Sequence, residues 1–152
     1  MKHIAIAGLG VVGGGVAEIL LKNAALLEKN AGEALCLKSV YTRTQKKDSP
    51  FAPYFVSDFS VIERDPEIDL VVETIGGCGA ALDFVTRALR AGKHVVTANK
   101  QLIAEHGLEL FALAKANGVN LLFEASVAGG IPVLNPLTRC SAQMRSPRFP
   151  EF

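Results

Sequence analysis

A glycine-rich segment near the amino terminus has the spacing of a dinucleotide-binding loop. Gly8-Leu9-Gly10-Val11-Val12-Gly13 follows the short apolar run Ile4-Ala5-Ile6-Ala7 and opens a stretch of helical apolar periodicity. In this strand-to-helix context, Gly8 permits a tight turn, Gly10 admits a diphosphate, and Gly13 lets the helix approach the strand. The pattern therefore predicts a loop that binds a dinucleotide through its backbone amides. The alternative is a turn that only tolerates glycine.

The end of the second predicted strand bears on which coenzyme is bound. A carboxylate about 20 residues beyond the glycines ordinarily binds the adenosine ribose, and Glu33 stands near that separation. Glu33 precedes the strand, however, whereas the ribose-binding residue follows it. The residues that follow are Thr42-Arg43-Thr44, without an acid. Because a guanidinium and hydroxyls suit a 2′-phosphate, we predict NADP(H) in preference to NAD(H), with Arg43 as the contact. A solvated basic loop is the alternative.

Polar residues also end the next two predicted strands, at the edge where parallel sheets bind ligands. One strand ends in Glu73-Thr74-Ile75-Gly76-Gly77, where the glycines either approach the coenzyme or only form the turn. The other delivers Thr97-Ala98-Asn99-Lys100, with Asn99 as a helix N-cap and Lys100 as the first helical residue. A cation is unfavourable at a helix N-terminus, so its position favours a functional role in which Lys100 hydrogen-bonds a substrate oxygen. An exposed lysine without function is the alternative.

These sites require strands and helices that alternate along the chain. The sequence predicts strands at 4–7, 35–41, 68–74, 94–97 and 119–124, and helices from Val12, at 61–65, at 80–90 and at 108–117. The helical character fades between Asn23 and Gly32, and residues 42–53 read as a loop. Near-continuous apolar strands that alternate with helices predict an α/β fold with a doubly wound, mostly parallel sheet, the Rossmann type.

The composition excludes several other classes of protein. The chain has 152 residues, 49% of them hydrophobic, with 16 basic and 15 acidic side chains. This balance of charge provides no general electrostatic field to attract nucleic acid or an anionic membrane surface. The three cysteines lack paired or CxxC spacing and the three histidines lack metal-ligand spacing, so we expect neither a disulfide framework nor a zinc site. With no signal peptide or membrane-spanning stretch evident, we expect a cytoplasmic protein.

The regular alternation of elements stops before the end of the chain. Residues 138–152 contain three arginines and two prolines and almost no periodic apolar positions. We therefore expect one nucleotide-binding domain over residues 1–137 and an irregular tail over residues 138–152.

Five segments together resemble the coenzyme-binding domain of homoserine dehydrogenase over residues 1 to about 137. They are the glycine loop, residues 71–77, residues 95–100, His106-Gly107, and Leu122-Phe123-Glu124-Ala125-Ser126-Val127-Ala128-Gly129-Gly130-Ile131-Pro132. The resemblance implies reversible NAD(P)-dependent interconversion of L-homoserine and L-aspartate 4-semialdehyde, on the route to threonine, methionine and isoleucine. It also implies a homodimer for the full-length family.

The resemblance assigns roles to individual residues. Lys100 matches a lysine of the substrate and hydride-transfer site, and Arg43 matches an arginine that many members place after the second strand, although an acid that often follows it is here Thr44. Coenzyme contacts are expected from Gly8, Gly10, Val11, Val12, Gly13, Arg43, Thr74, Gly76, Thr97, Asn99 and Lys100. Oxygens that hold Na⁺ or another monovalent cation in some members match Glu124, Val127, Gly129 and Ile131.

The segment after Leu137 departs from the family. A substrate and dimerisation domain is expected there, and the residues from Thr138 do not align with it. A frameshift, a truncated gene model or a deliberately chosen end of the sequence would each explain this departure. The first hypothesis is therefore the coenzyme-binding part of a homoserine dehydrogenase, inactive alone. The alternatives are a nucleotide-binding module without catalysis and, less favoured by residues 97–100 and 124–132, a related oxidoreductase acting on another small carbonyl compound.

Overall fold

The computed structural model describes residues 1–45 and 47–123. Within them, one sheet contains the strands β1 (Lys2–Ala7), β2 (Leu35–Tyr41), β3 (Phe55–Val56), β4 (Ile68–Glu73), β5 (His94–Thr97) and β6 (Leu121–Leu122). The connecting helices are α1 (Val11–Lys22), α2 (Ala24–Ala31), α3 (Phe59–Arg64), α4 (Gly79–Arg90) and α5 (Lys100–Ala116). None of these helices combines the length and the apolar character needed to cross a bilayer.

The sheet confirms the predicted doubly wound fold. Its strand order is β3-β2-β1-β4-β5-β6, and every neighbouring pair is parallel. The chain winds outward from β1 in one direction and then from β4 in the other, so the order reverses between these two strands. In open parallel sheets this reversal leaves a crevice at the carboxyl ends of the strands, where ligands bind.

Side chains of β1 separate the two halves of the core. Ile4 and Ile6 pack with Ala17 and Leu20 of α1 on one face of the sheet. Ala5 and Ala7 lie in a second cluster on the other face, together with apolar residues of α3, α4 and α5. Successive strand residues point to opposite faces, so β1 must be apolar along its whole length. Because β1 is packed on both faces, its position in the sheet is fixed, and so is the point at which the glycine loop begins.

The structure differs from the sequence prediction in three elements. Residues 24–31 form α2, because Ala-Ala-Leu-Leu-Glu-Lys favours a helix. β3 is a two-residue strand that pairs with the end of β2, too short to leave a periodic signal. The helix predicted to start at Lys100 and the helix predicted over residues 108–117 are one continuous helix, α5, which runs through Gly107 because that glycine is buried against Ile103 and Phe111.

Two charged side chains hold the amino ends of the strands, opposite the crevice. Lys93 is only 3% exposed, and its Nζ donates to the carbonyl oxygens of Asp65 at 2.6 Å and Ile68 at 3.1 Å. Burial lowers the pKa of Lys93. The Asp69 carboxylate accepts hydrogen bonds from Lys2 Nζ and from the His3 backbone N–H, both at 2.9 Å. The hydrogen bond from Lys2 is the main cause that holds the pKa of Asp69 below its ordinary value.

Asp69 should therefore make the stability of the chain depend on pH in the acid range. A carboxylate whose pKa is lower in the folded state stabilises the fold above its unfolded pKa, about 3.9, and this stabilisation is lost as the pH falls through the folded pKa. Asp69→Asn should lower the free energy of unfolding at neutral pH by about 1 kcal/mol and flatten its pH dependence below about pH 4. Urea unfolding between pH 2 and 7 measures both effects. Asp48→Asn is the control, because Asp48 is exposed and forms no ion pair with the described residues; equal pH profiles for the wild type and Asp69→Asn would contradict the assignment.

Candidate functional site

The glycine loop joins β1 to α1 and is packed against the end of β4. Gly8 has φ +106°, a conformation that side chains rarely adopt. A Cβ added to Gly13 would lie 2.0 Å from the Gly8 carbonyl oxygen and 2.6 Å from Thr74 Oγ1. Any side chain at Gly13 would therefore force α1 away from the turn. Two of the three predicted glycine positions are thus explained by the packing of the protein itself.

Gly10 and the first turn of α1 face open space. Gly10 is the N-cap of α1, and a Cβ placed on it would meet nothing within 4 Å. Val11 is 96% exposed, and the first turn contains no acidic residue. The amides of Val11, Val12 and Gly13 come too early in the helix to bond to helix carbonyls. This helix N-terminus therefore fits a diphosphate, through backbone N–H groups and the positive end of the helix dipole.

Thr74 supports the glycine loop from β4. Its Oγ1 donates a hydrogen bond of 2.9 Å to the Gly8 carbonyl, and its backbone N–H donates to the Ala7 carbonyl at 2.9 Å. The predicted site residue Thr74 is therefore in the loop's immediate surroundings. Its hydroxyl fixes the turn between β1 and α1.

A cleft of about 360 Å³ extends from the glycine loop toward the end of β2. It is lined by Gly8, Leu9, Gly10, Tyr41, Thr42, Arg43, Thr44, Ser49, Phe55, Thr74 and Ile75. Four of these side chains offer apolar surface, those of Leu9, Tyr41, Phe55 and Ile75, while the residues after β2 contribute polar groups. The cleft therefore suits a flat, apolar ring that carries a polar substituent.

Arg43 lies in the part of the cleft that follows β2. Thr42 Oγ1 accepts from the Thr44 N–H at 3.3 Å, which forms a local turn around Arg43. Arg43 is exposed and forms no hydrogen bond or ion pair with the part of the chain that the structure describes. Its guanidinium is therefore available to an anion in the cleft. The structure brings Arg43 to the same cleft as Gly8 and Gly10, as the sequence analysis predicted.

A second, smaller hollow of about 130 Å³ continues from the cleft across the crevice. It is lined by Val12, Thr74, Ile75, Gly76, Ala98 and Asn99. Thr74 and Ile75 line both spaces, so one elongated ligand can reach from the end of β2 to the end of β5. The predicted residues Val12, Gly76 and Asn99 therefore line one hollow.

Asn99 and Lys100 begin α5 beside the second hollow. Asn99 Oδ1 accepts from the Leu102 N–H at 3.1 Å, which makes Asn99 the N-cap that the sequence predicted. Lys100 is the first residue of the helix and is exposed. Among the described residues, none forms an ion pair or hydrogen bond with Lys100. Its ammonium group is therefore free to meet a ligand at this edge.

A buried carboxylate that the sequence analysis did not select connects these strand ends. Glu73 Oε1 accepts hydrogen bonds from the backbone N–H groups of Ile75 and Gly76, at 2.7 and 3.2 Å. Glu73 Oε2 accepts from the Thr97 hydroxyl at 2.5 Å. The predicted residue Thr97 is fully buried and therefore supports the site from behind. An acid at the end of an otherwise apolar strand was the available signal for Glu73.

Cys78, Glu105 and His106 form a group that residue spacing did not reveal. One ligand atom of each lies within 4.8 Å of the others. The group is held by hydrogen bonds within the protein, from Cys78 Sγ and Gln101 Nε2 to Glu105 and between His106 and Glu109. Burial raises the pKa of the Cys78 thiol, and Glu105 raises it further. These hydrogen bonds within the protein account for the proximity of the three side chains.

The structure thus gathers the predicted coenzyme residues along one crevice. The glycine loop, Arg43, Gly76 and Asn99 line its two hollows, and Lys100 stands at its edge. The expected tail over residues 138–152 lies outside the described residues. So do the expected cation ligands, which are Glu124, Val127, Gly129 and Ile131. The two glycines that close the turn, the open position at Gly10 and the free first-turn amides fit a dinucleotide.

Comparison with protein-family models matches most of this chain. Residues 8–124 match the family model described as "Homoserine dehydrogenase, NAD binding domain". This range runs from the first glycine of the loop past the end of β6. A domain of this family binds a nicotinamide dinucleotide, which agrees with the fit of the glycine loop.

Individual relatives agree with the family model. The chain is 45% identical over 136 residues to homoserine dehydrogenase from Pseudomonas aeruginosa, covering 88% of this chain and 31% of the relative. It is 42% identical over 139 residues to the Bacillus subtilis enzyme, covering 89% of this chain and 32% of the relative.

Solved structures give the same result for the fold. A homoserine dehydrogenase from Thiobacillus denitrificans superposes with a TM-score of 0.87 at 41% identity, over 95% of this chain and 34% of that one. The Staphylococcus aureus enzyme superposes with a TM-score of 0.77 at 38% identity, over 86% of this chain and 33% of that one. The chain spans about a third of the length of these relatives. It belongs to the family of homoserine dehydrogenase NAD-binding domains.

Proposed function

We propose that this chain is the coenzyme-binding part of a homoserine dehydrogenase. In the complete protein it would support the reversible, NAD(P)-dependent interconversion of L-homoserine and L-aspartate 4-semialdehyde, in the synthesis of threonine, methionine and isoleucine. The observation that carries this proposal is the packing of Gly13 on Gly8, which presents the first turn of α1 to open space. The crevice between β1 and β4 continues from that turn to Asn99, the residue before Lys100.

The proposed mechanism assigns a task to each part of the crevice. The nicotinamide coenzyme, when bound, supplies or accepts a hydride. The amides of the first turn of α1 hold the diphosphate, while the hollow beside Gly76 and Asn99 orients the reactive ring and excludes water from one of its faces. Lys100 donates a hydrogen bond to the substrate oxygen and stabilises negative charge as it develops there. Lys100 is thus the proposed catalytic residue of this segment.

Arg43 supports a preference for NADP(H). Its guanidinium has no partner among the described residues, and the cleft around it contains the hydroxyls of Thr42, Thr44 and Ser49. Within residues 1–45 and 47–123, no acidic side chain lines this cleft. An arginine can bind a phosphate with two parallel hydrogen bonds, whereas a ribose with a free 2′-hydroxyl offers it no such partner.

Other parts of the proposal depend on the family resemblance. Glu124, Val127, Gly129 and Ile131 are the proposed ligands of Na⁺ or another monovalent cation. A small-molecule substrate and a homodimer are proposed for the complete protein, acting in the cytoplasm and without nucleic acid or membrane partners. We also retain residues 1–137 as the proposed extent of the nucleotide-binding domain.

Substituting Gly13 should test the glycine loop. In Gly13→Ala the new methyl group meets the Gly8 carbonyl, so α1 must move; we expect the free energy of unfolding to fall by about 1–3 kcal/mol and NADPH affinity to fall at least about tenfold. Isothermal titration calorimetry measures the affinity. Gly14→Ala is the matched control, because a Cβ at Gly14 meets nothing within 4 Å and alanine favours a helix. Unchanged NADPH affinity in Gly13→Ala would contradict the proposed loop.

Substituting Arg43 should test the choice of coenzyme. Arg43→Ala removes the cation expected to contact the 2′-phosphate, so NADPH should bind about 10- to 100-fold more weakly while NADH affinity changes little. The ratio of the two dissociation constants is the quantity to measure. Lys47→Ala, in the same loop but outside the cleft lining, is the control. Tighter binding of NADH than NADPH by the wild type, or an unchanged ratio in Arg43→Ala, would refute the NADP(H) preference.

Homoserine oxidation by the 152-residue chain distinguishes the proposal from a catalytic unit. We expect the chain to bind coenzyme and to show no turnover above background, because positioning of the substrate contributes much of an enzyme's rate and the chain spans only a third of its relatives. Coenzyme binding and homoserine oxidation should be measured in the same sample. Turnover of about 1 s⁻¹ or more would show that this segment suffices.

A second candidate is a nucleotide-binding module without catalysis, because the described residues build a crevice that fits a dinucleotide. Reading the DNA in another frame beyond Leu137 separates the two. A continuation similar to the relatives supports the dehydrogenase, whereas a stop codon after Phe152 and a folded product in the cell support the module.

A further inference from the structure

Glu73 is a buried carboxylate without a cationic partner in the described part of the chain. It is the last residue of β4 and is 0% exposed. No Lys, Arg or His nitrogen of residues 1–45 or 47–123 forms an ion pair with it. Burying an unpaired charge is costly, so a carboxylate here must be held by hydrogen bonds that an apolar residue could not replace.

Those hydrogen bonds reach both walls of the smaller hollow. Oε1 accepts from the backbone N–H groups of Ile75 and Gly76 and so holds the wall that follows β4. Oε2 accepts from the Thr97 hydroxyl, and Thr97 Oγ1 accepts in turn from the Asn99 N–H at 3.0 Å. Ile75, Gly76 and Asn99 line the hollow. Their backbone N–H groups donate to Glu73 and Thr97 and not to a ligand in the hollow.

Asn99 closes the connection between the two walls. Its Nδ2 donates to the Gly77 carbonyl at 2.6 Å, while its Oδ1 caps α5. Gly76 and Gly77 have φ of +80° and +66°, so the segment after β4 makes a sharp turn. The Glu73 carboxylate accepts hydrogen bonds from backbone N–H groups of this turn. One carboxylate and one amide therefore set the separation between the end of β4 and the start of α5.

We propose that Glu73 is a positioning residue for the nicotinamide half of the coenzyme. It acts through the backbone of Ile75 and Gly76 and, via Thr97, through Asn99, and it does not itself touch the ligand. This proposal rests on the proposed function, because it assigns the smaller hollow to the nicotinamide side. The adenosine side of the cleft contains the glycine loop and the residues after β2, and the side-chain hydrogen bonds of Glu73 within the described residues go instead to Ile75, Gly76 and Thr97.

The proposal predicts an uneven loss of affinity between the two halves of the coenzyme. Glu73→Leu removes the acceptors for two backbone amides and for the Thr97 hydroxyl, so the hollow beside Asn99 should lose its shape. NADPH should then bind at least about tenfold more weakly. Binding of 2′,5′-ADP and of ADP, which carry only the adenosine half, should change by less than about twofold.

Glu73→Gln is the conservative variant. Its amide oxygen can still accept from Ile75 and Gly76, and its NH₂ group can donate to Thr97 Oγ1. It should therefore recover most of the NADPH affinity lost in Glu73→Leu. Thr97→Val is a second disruptive variant, because valine has the shape of threonine but removes the hydroxyl between Glu73 and Asn99. It should produce the same uneven loss to a smaller extent, and it decides the question if Glu73→Leu does not fold.

Lys93→Met controls for a general loss of stability. Lys93 is also a buried polar side chain, but it bonds at the opposite ends of the strands and contacts neither hollow. The variant Lys93→Met should lower the thermal midpoint of unfolding and leave the ratio of NADPH affinity to 2′,5′-ADP affinity unchanged. A change in that ratio therefore reports positioning and cannot arise from stability alone.

Calorimetric titration of the 152-residue chain gives each outcome a separate meaning. Failure of the wild type to bind NADPH, 2′,5′-ADP and ADP would overturn the proposed function, and with it the role of Glu73. Normal wild-type binding, with equal losses for NADPH and the adenosine ligands in the folded disruptive variants, would overturn the positioning role alone. The positioning role would also be overturned if the folded disruptive variants lost affinity for none of these ligands. A selective NADPH loss that Glu73→Gln recovers is the result expected.

Discussion

The approach of α1 to the turn after β1 is the constraint on which the crevice depends. A Cβ at Gly13 would lie 2.0 Å from the Gly8 carbonyl oxygen, so the helix can reach this position only without a side chain there. Thr74 fixes the same carbonyl from β4. The helix N-terminus therefore points at the gap between β1 and β4, where the winding of the sheet reverses and no crossover helix covers the strand ends.

The two ends of the sheet carry different polar arrangements. At the amino ends, Lys2, Asp69 and Lys93 form ion pairs and hydrogen bonds that hold strands together. At the carboxyl ends, the buried polar side chains Glu73, Thr97 and Asn99 hold turns in shape, while Arg43 and Lys100 remain exposed. Stabilising contacts are thus concentrated at one end, and groups free to meet a ligand at the other. This division is typical of enzymes whose sites are built from strand-to-helix loops.

Membership of the homoserine dehydrogenase family gives the exposed groups a context. The relatives are about three times as long as this chain, and the residues matched by the family model end near β6. The crevice fits a dinucleotide and has two exposed cationic side chains, Arg43 after β2 and Lys100 at the start of α5. The proposed roles in coenzyme binding and substrate chemistry fall on different groups, which is why the two properties must be measured independently.

The sequence by itself determined the fold class, the glycine loop and most strand positions, because apolar periodicity and glycine spacing are local properties of the chain. β2 and β5 occur at the predicted residues, and Asn99 caps α5 as its residue type predicts. α2 and the continuity of α5 through Gly107 were missed, since helix propensity over a few residues is weak beside packing. The bond from Glu73 to Thr97, across 24 residues, and the group of Cys78, Glu105 and His106 were decided only by the tertiary structure. Parallel strands bring distant residues to one edge, and no spacing along the chain records which side chains then meet.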